Sequence, residues 1–239
     1  MPLNFESWMN GEEREALDVP ASDVALIVVD MQNWFCKDLD TVIREPGMEI
    51  ENFKDAIPGC VALVEAARAA GHTIIFTRYV HLEGNADEKP RSGRTLYDPP
   101  TPNFLVEGTS EIDVIDELSP QPGEFVLDKS RPSSFYGTRL EPLLTARGIK
   151  SVVVCGVTTN ICVETTVRDA HQRGYDTYVV ENATGEFEPS RHWHALYSIA
   201  WCFGSVVTVE DVERSWGTPL SGRGISAAKP AWPSLAPAL

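Results

Sequence analysis

The sequence predicts a single α/β domain built on a Rossmann-like, doubly wound sheet of six parallel strands, with helices on both faces. Three observations carry this prediction. Six short apolar runs recur along the 239 residues, stretches of helical periodicity separate most of them, and no linker or internal repeat divides the chain. The strand order expected for such a sheet is 3-2-1-4-5-6.

The first three strands are predicted at continuous apolar runs, because the strands of a parallel sheet are buried on both faces. These runs are 25–29, 73–77 and 125–129. A helix over 58–70, with Pro58 near its start and Gly71 as its stop, joins the first two. Residues 79–110 contain four prolines and little periodicity, so we expect a long loop, followed by a short helix near 111–117.

The second half of the chain alternates in the same way. Strands are predicted at 151–156, 176–181 and 205–209, and helices at 138–147, 161–173 and 190–202. The predicted domain organisation is a polar N-terminal lead over 1–22, one α/β domain over 23–210, and an irregular Pro/Ala/Gly-rich C-terminal tail over 211–239.

Composition excludes several functions. The chain has 35 acidic and 20 basic residues, a net charge of −15, which argues against a nucleic-acid partner. No apolar stretch is long enough to span a membrane, and the N-terminus lacks the features of a signal peptide, so we expect a cytoplasmic protein without a membrane partner. The five cysteines form no C-x-x-C pair and are expected to be free thiols. No glycine-rich nucleotide motif and no G-x-S-x-G occurs, so no cofactor is expected.

Three residues at predicted strand ends have the chemistry for a reaction. Asp30 and Lys129 end apolar strands, and Cys162 follows the fourth strand at the start of a helix. Ligands bind beyond the carboxyl ends of the strands in open α/β sheets. A helix N-terminus is expected to lower the thiol pKa of Cys162, and Asp30 and Lys129 supply a base and a cation. The alternatives are a buried structural cysteine, a capping aspartate and a lysine that extends to solvent.

Three sequence blocks then point to a family. They are A-L-I-V-V-D-M-Q-N at 25–33, D-K-S-R-P-S-S-F-Y-G-T at 128–138 and C-G-V-T-T-N-I-C-V-E-T-T-V-R-D-A at 155–170. Together they resemble the isochorismatase-like cysteine hydrolase superfamily. The resemblance implies a catalytic triad of Asp30, Lys129 and Cys162, a cis peptide bond before Thr158, and an oxyanion hole formed by the backbone N–H groups of Thr158 and Cys162.

The resemblance leaves several branches open. Nicotinamidases carry an Asp-x-His metal site after the second strand, whereas T-R-Y-V-H at 77–81 has no Asp before His81, so no metal is expected. Isochorismatases lack the cysteine nucleophile. The chain looks more like biuret hydrolases, ureidoacrylate and maleamate amidohydrolases and N-carbamoylsarcosine amidase. The expected function is therefore a cysteine amidohydrolase that cleaves a small carbamoyl, ureido or amide substrate through a thioester and releases ammonia. A nicotinamidase-like or isochorismatase-like hydrolase, or a non-catalytic binding module, is the alternative.

Six residues near the triad blocks are candidates for substrate binding: Gln32, Phe35, Tyr79, Arg131, Phe135 and Tyr136. Arg131 has the guanidinium needed to bind a carboxylate through two hydrogen bonds. Arg131 and Arg78 together add local positive charge, which favours a polar or anionic small-molecule substrate. We also expect a homodimer or homotetramer, because closed symmetric assemblies are common among such enzymes.

Overall fold

A computed structural model of the chain describes residues 4–9, 16–37, 39, 50–87 and 104–219. These residues form one sheet of six parallel strands in the order β3-β2-β1-β4-β5-β6, so the predicted fold class and strand order are confirmed. The strands are β1 (Val24–Val29), β2 (Thr73–Tyr79), β3 (Phe125–Lys129), β4 (Ser151–Val157), β5 (Asp176–Gly185) and β6 (Ser205–Val207).

Helices cover both faces of the sheet. They are α1 (Phe5–Met9), α2 (Asn33–Cys36), α3 (Glu51–Ala70), α4 (Leu140–Ala146), α5 (Glu164–Gln172), α6 (Pro189–Cys202) and α7 (Val209–Trp216). Helices α3 and α7 pack in one apolar core, and α1, α4, α5 and α6 pack in the other. Alternate β1 residues point into each core, as the two-residue period of a strand requires.

Strand β1 is the centre of the domain. All six of its residues are buried, and it pairs with β2 on one side and β4 on the other. The residue that follows β1 therefore lies in the middle of the carboxyl edge of the sheet, where ligands bind in open α/β folds.

Two helix predictions need correction. Helix α3 begins at Glu51, so Pro58 lies inside the helix rather than near its start. Proline inside a helix removes a backbone donor, but the buried face of α3 packs on the sheet, and packing provides most helix stability in proteins. The single helix predicted near 111–117 is two short 3₁₀ turns, Ser110–Ile112 and Asp116–Leu118.

The predicted domain boundaries also change. Helix α7 crosses the predicted start of the irregular tail, and Thr208 and Asp211 cap it reciprocally, so residues 211–216 are helical. Residues 220–239 of the predicted tail lie outside the described residues, as do residues 88–103 of the predicted long loop. In the polar lead, α1 packs on α6, where Trp8 meets the rings of Trp193 and Tyr197 edge-on.

No helix among the described residues has the length and apolar character needed to cross a membrane.

Gly156 sets how closely β4 approaches β1. Its φ is +107°, and an added Cβ would lie 2.1 Å from the carbonyl oxygen of Val29. Gly156→Ala should therefore lower the free energy of unfolding by about 3 kcal/mol, because strain and a backbone clash combine. Gly123→Ala is the matched control: its φ is +97°, with no described atom within 4 Å of the added Cβ, so only about 1 kcal/mol is expected. Urea denaturation measures the free energy of unfolding of both variants. Equal losses of stability would contradict the clash at Gly156.

Candidate active site

The structure brings the three predicted reactive residues together at the carboxyl edge of the sheet. Asp30 follows β1, Lys129 is the last residue of β3, and Cys162 lies on the turn between β4 and α5. Their exposed fractions are 0%, 3% and 5%. Lys129 and Cys162 lie 99 and 132 positions after Asp30 in the sequence, and the fold brings all three into one buried site.

A buried ion pair joins Asp30 to Lys129. The Lys129 Nζ donates to Asp30 Oδ2 at 2.7 Å, and the Thr77 hydroxyl donates to Asp30 Oδ1 at 2.8 Å. Both carboxylate oxygens of Asp30 are therefore held. The backbone of Asp30 has φ +50°, a left-handed conformation that is uncommon for a residue other than glycine and that turns the chain as it leaves β1.

Lys129 reaches Asp30 across β2. Lys129 is still in the strand, and its side chain lies over the neighbouring Tyr79, with Nζ 4.4 Å from the ring centroid, so no bend after β3 is needed. Nζ also donates to the carbonyl of Arg131 at 3.2 Å. Burial alone would lower the pKa of Lys129, but the negative charge of Asp30 raises that pKa above its usual value. The side chain is therefore a cation at neutral pH.

The protonation state predicted for Cys162 is wrong. Burial, the largest effect, together with the negative charge of Asp30 raises the pKa of the Cys162 thiol to about 12, although Lys129 opposes the shift. The prediction of a lowered pKa considered only the helix N-terminus. In the enclosed site, removal from water outweighs that dipole, so the Cys162 side chain is a neutral thiol at neutral pH, beside the Asp30–Lys129 pair.

The turn that carries Cys162 is a π-helical turn, Thr159–Val163, which leads into α5. The predicted α-helix from 161 therefore starts with a different geometry, of a kind that is frequent at functional sites. The carbonyl of Thr158 accepts the N–H groups of Ile161 and Val163 at 3.2 and 3.1 Å. The predicted cis bond between Val157 and Thr158 is confirmed. The oxyanion hole of Thr158 and Cys162 N–H groups stays a prediction.

The Gln32 side chain is bonded to the backbone at three points, and its contact with a substrate stays a prediction. Its side-chain NH₂ donates to the carbonyls of Tyr79 and Ile112 at 3.0 and 3.1 Å, and its oxygen accepts the Tyr79 N–H at 2.7 Å. An amide has two N–H donors, and both are used. Gln32 is also fully buried. Its role is to tie the chain after β1 to the end of β2.

The aromatic candidates lie in different places. Phe135 packs under the Arg173 guanidinium and beside Tyr175, at the end of α5, and its contact with a substrate stays a prediction. Residues 133–134 run along α5, where the N–H and the hydroxyl of Ser134 bond to the Thr166 hydroxyl. This contact sets the position of Phe135.

Phe35 packs edge-on against Phe53 in the α3 core, whereas Cys162 belongs to the opposite core. Tyr136 is 68% exposed. Pocket contacts by Phe35 and Tyr136 stay predictions. Tyr79 contacts the Lys129 ammonium through its ring, so its observed role is on the triad itself.

The two arginines differ in how far they are neutralised. Arg78 forms a two-bond ion pair with Asp128 at 2.7 and 2.8 Å, so the positive charge that we attributed to it is already compensated. Arg131 donates to the backbone carbonyls of Asp87 and Ser130, its Nη1 lies 4.0 Å from Asp87 Oδ2, and its side chain is 37% exposed. Its guanidinium has five N–H donors, so donors remain for a ligand.

His81, the histidine in the loop after β2, has a partner near the site. It is buried, and its Nδ1 lies 3.2 Å from Asp87 Oδ2, between the rings of Tyr79 and Phe104. Within the part of the chain that the structure describes, no three His, Cys, Asp or Glu side chains cluster closely enough to hold a metal ion.

Sequence reasoning missed Thr77, which orients Asp30. In the confirmed strand order Thr77 pairs with Val29, one residue before Asp30, so its hydroxyl in an otherwise apolar run was the signal. The second missed residue is Glu186, a buried carboxylate after β5 whose contacts with the Cys162 turn are described below.

The sequence matches the isochorismatase domain over residues 24–211. The chain belongs to the isochorismatase family. The family covers nearly the whole domain that was predicted over 23–210, and the predictions of this family and of a hydrolase are confirmed.

Curated relatives include ureidoacrylate amidohydrolase RutB of Azorhizobium caulinodans, which is 35% identical over 214 residues, 84% of this chain and 94% of that protein. RutB of Pantoea ananatis is 36% identical over 217 residues, 83% of this chain and 86% of that protein. These relatives are named for hydrolysis of an amide-type C–N bond, the bond class predicted for this chain.

Solved structures agree with the fold. A cysteine hydrolase from Pseudomonas syringae pv. phaseolicola aligns with a TM-score of 0.72 and 29% identity, over 86% of this chain and 98% of that one. The N-carbamoylsarcosine amidase from Thermoplasma acidophilum aligns with a TM-score of 0.61 and 27% identity, over 78% of this chain and 96% of that one.

The raised pKa of Cys162 predicts slow alkylation of the resting enzyme. At pH 7 iodoacetamide should label the exposed Cys202 before Cys162, because the thiolate is the reactive form. Below a pKa of about 12, the thiolate fraction of Cys162 grows about tenfold per pH unit, so labelling should keep accelerating through pH 10. Site-resolved mass spectrometry follows both thiols. Labelling of Cys162 that is faster than that of Cys202 at pH 7 and flat above pH 8 would show a resting thiolate instead.

The ion pair predicts an asymmetric response to mutation. Lys129→Met leaves the Asp30 carboxylate buried without its cation and should lower the free energy of unfolding by about 3 kcal/mol at pH 7. The double variant Asp30→Asn with Lys129→Met removes both charges and should recover most of that loss. Urea denaturation at pH 7 tests this, and a double variant no more stable than Lys129→Met would mean that the charges are not coupled.

Proposed function

We propose that the protein is a cysteine amidohydrolase that cleaves a C–N bond of a small carbamoyl, ureido or amide substrate. The observation that carries the proposal is a buried thiol that interacts with both members of the Asp30–Lys129 pair. This arrangement places a nucleophile, a base and a fixed cation together, which acyl transfer requires. The amidohydrolase relatives support the bond class.

The first half of the reaction makes a thioester. Asp30 takes the Cys162 proton as the sulfur attacks the carbonyl carbon, so the neutral resting thiol is activated only during the attack. The N–H groups of Thr158 and Cys162 hold the resulting oxyanion. The C–N bond then breaks, and the nitrogen leaves with the proton from Asp30.

The second half returns the enzyme to its resting state. A water molecule loses a proton to Asp30 and attacks the thioester, the S–C bond breaks, and Cys162 recovers its proton. An amide yields ammonia and the acid, and a ureido group yields ammonia together with the amine and carbon dioxide. Every group that these steps use is a side chain or backbone amide of this chain, so the proposal includes no cofactor.

Lys129 acts on Asp30 and on the sulfur rather than on the substrate. Its ammonium donates to Asp30 Oδ2 and to the carbonyl of Arg131. It therefore fixes the carboxylate, and its charge opposes the rise in the pKa of the Cys162 thiol. The developing oxyanion is left to backbone donors.

Substrate binding falls to residues around the triad. Arg131 is the charged candidate, since its donors are partly free and its side chain is partly exposed. A ureido or amide compound with a carboxylate, such as ureidoacrylate, maleamate or an N-carbamoyl amino acid, would use it, and biuret would not. Assembly as a homodimer or homotetramer and a cytoplasmic location remain proposals from the sequence.

Three alternatives make different predictions. An isochorismatase-like hydrolase cleaves a vinyl ether and has no step for a thiol that attacks a carbonyl, and a nicotinamidase-like enzyme would accept nicotinamide. A non-catalytic binding module would retain a costly buried ion pair without using it. The assay below separates them.

Cys162→Ala should abolish ammonia release, because no other group can form the thioester. We would assay ureidoacrylate, biuret, maleamate, N-carbamoyl amino acids and nicotinamide, with and without EDTA, and isochorismate separately. Cys155→Ala is the control, since Cys155 is an equally buried thiol inside β4. Isochorismate cleavage without ammonia from any other compound would establish the vinyl-ether alternative, and comparable loss in both variants would mean a different nucleophile.

Arg131→Gln should raise the KM for carboxylate-bearing substrates about tenfold or more, through loss of a charge-assisted pair, and leave the KM for biuret almost unchanged. The backbone carbonyl of Arg131 that holds Lys129 is retained in this variant. Arg139→Gln, an exposed arginine at the start of α4, is the control. An equal rise in KM for charged and uncharged substrates would remove Arg131 as the carboxylate anchor.

A further inference from the structure

The segment that joins β5 to α6 lies directly against the turn that carries the thiol. We call residues 158–163 the nucleophile turn. Gly185, the last residue of β5, pairs with Val157 immediately before this turn. The residues that follow, from Glu186 to His192, therefore meet the nucleophile turn from the side opposite β1, where Asp30 lies.

Glu186 places a buried carboxylate on this turn. It is 2% exposed; its Oε2 accepts the backbone N–H of Asn160 at 3.3 Å, and its Oε1 accepts that of Phe187 at 3.0 Å. Arg191 of α6 lies 3.4 Å from Oε1. A buried carboxylate is costly unless its bonds are satisfied, and none of the proposed reaction steps uses Glu186. Its position on Asn160 therefore needs another explanation.

His192 holds the preceding residue of the turn. The hydroxyl of Thr159 donates to the carbonyl of Gly185 at 2.9 Å, and His192 Nδ1 lies 2.9 Å from the same hydroxyl oxygen. Because the single hydroxyl hydrogen is used on Gly185, Nδ1 is the donor to Thr159. Thr159 is fully buried. Two successive residues of the turn are thus fixed by two side chains from one neighbouring segment.

The geometry points to Glu186 and His192 as positioning residues that hold the nucleophile turn so that the N–H groups of Thr158 and Cys162 face the substrate carbonyl. Both act through Asn160 and Thr159, which lie between the two proposed oxyanion donors in sequence. This inference rests on the proposed function for its catalytic consequence. Its structural consequence is that the segment between β5 and α6 holds the nucleophile turn, and this does not depend on the substrate.

The chain offers matched pairs for the test. Glu186→Gln keeps the size of the side chain but leaves one oxygen to accept the two backbone N–H groups of Asn160 and Phe187. One of these N–H groups then faces the NH₂ of the glutamine, which cannot accept a hydrogen bond. Glu188→Gln is its control, because Glu188 also lies near Arg191 but caps α6 at Ser190. His192→Ala removes the donor to Thr159, and His192→Asn restores an N–H there. His194→Gln is the histidine control, since His194 contacts Ser190 and the Phe5 ring.

Two readouts are measured on each full-length variant. The first is kcat and KM for ammonia release from the best substrate of the panel. The second is backbone hydrogen exchange, by mass spectrometry, of the peptide that spans the nucleophile turn, with no substrate present. Glu186→Gln and His192→Ala should lower kcat about tenfold or more with KM within about twofold, because misplaced donors affect mainly the transition state. Hydrogen exchange in the nucleophile turn should rise about tenfold in these two variants. His192→Asn should restore the kcat and the exchange rate of the wild type.

Each outcome decides the inference. Wild-type kcat and exchange in Glu186→Gln and His192→Ala would overturn it. Equal losses in Glu188→Gln and His194→Gln would also overturn it, since they would show a general effect of α6. If the wild type releases no ammonia that depends on Cys162, the proposed function fails, and the exchange comparison still decides whether Glu186 and His192 hold the turn.

Discussion

The ion pair between Lys129 and Asp30 is the interaction on which the site depends. Both side chains are fully buried, and two charges leave water at a cost of several kcal/mol each unless their bonds are satisfied. Here the sheet satisfies them: Thr77 from β2 holds one carboxylate oxygen, and Tyr79 and the Arg131 carbonyl enclose the ammonium. The pair therefore requires three strands in one order and one register. A shift of a single residue in β3 would turn Lys129 away from this face.

The same pair controls the thiol. Asp30 raises the pKa of Cys162 and Lys129 lowers it, and burial decides the balance in favour of the protonated form. A neutral buried thiol reacts slowly with oxidants and alkylating agents, because the thiolate is the reactive species. In the proposed mechanism, reactivity is therefore tied to the arrival of a carbonyl carbon beside a base that is already in place, and Asp30, rather than the helix dipole, activates the thiol.

The six strands could be predicted because each has a local signal, an apolar run, and Asp30 and Lys129 stand out as polar residues that end two of these runs. The strand order came from the usual order of such a sheet. What could not be predicted depends on packing. The donors of Gln32 are used by two backbone carbonyls that only the folded loops bring near it. Phe135 follows the course of a loop along α5, which no periodicity encodes. The pKa of Cys162 was predicted in the wrong direction because helix position is visible in a sequence and burial is not.

In the proposed mechanism, the chemistry and the recognition of the substrate fall to different residues. Thr77 and Lys129 hold Asp30, and Lys129 donates to Asp30 Oδ2 and to the carbonyl of Arg131, so in the proposed mechanism both serve the thiol rather than substrate recognition. The residues proposed for recognition lie on the loop after β3, where Arg131 retains donors and Tyr136 is exposed. A rigid buried triad with recognition on surrounding loops allows the substrate to change while the chemistry is kept.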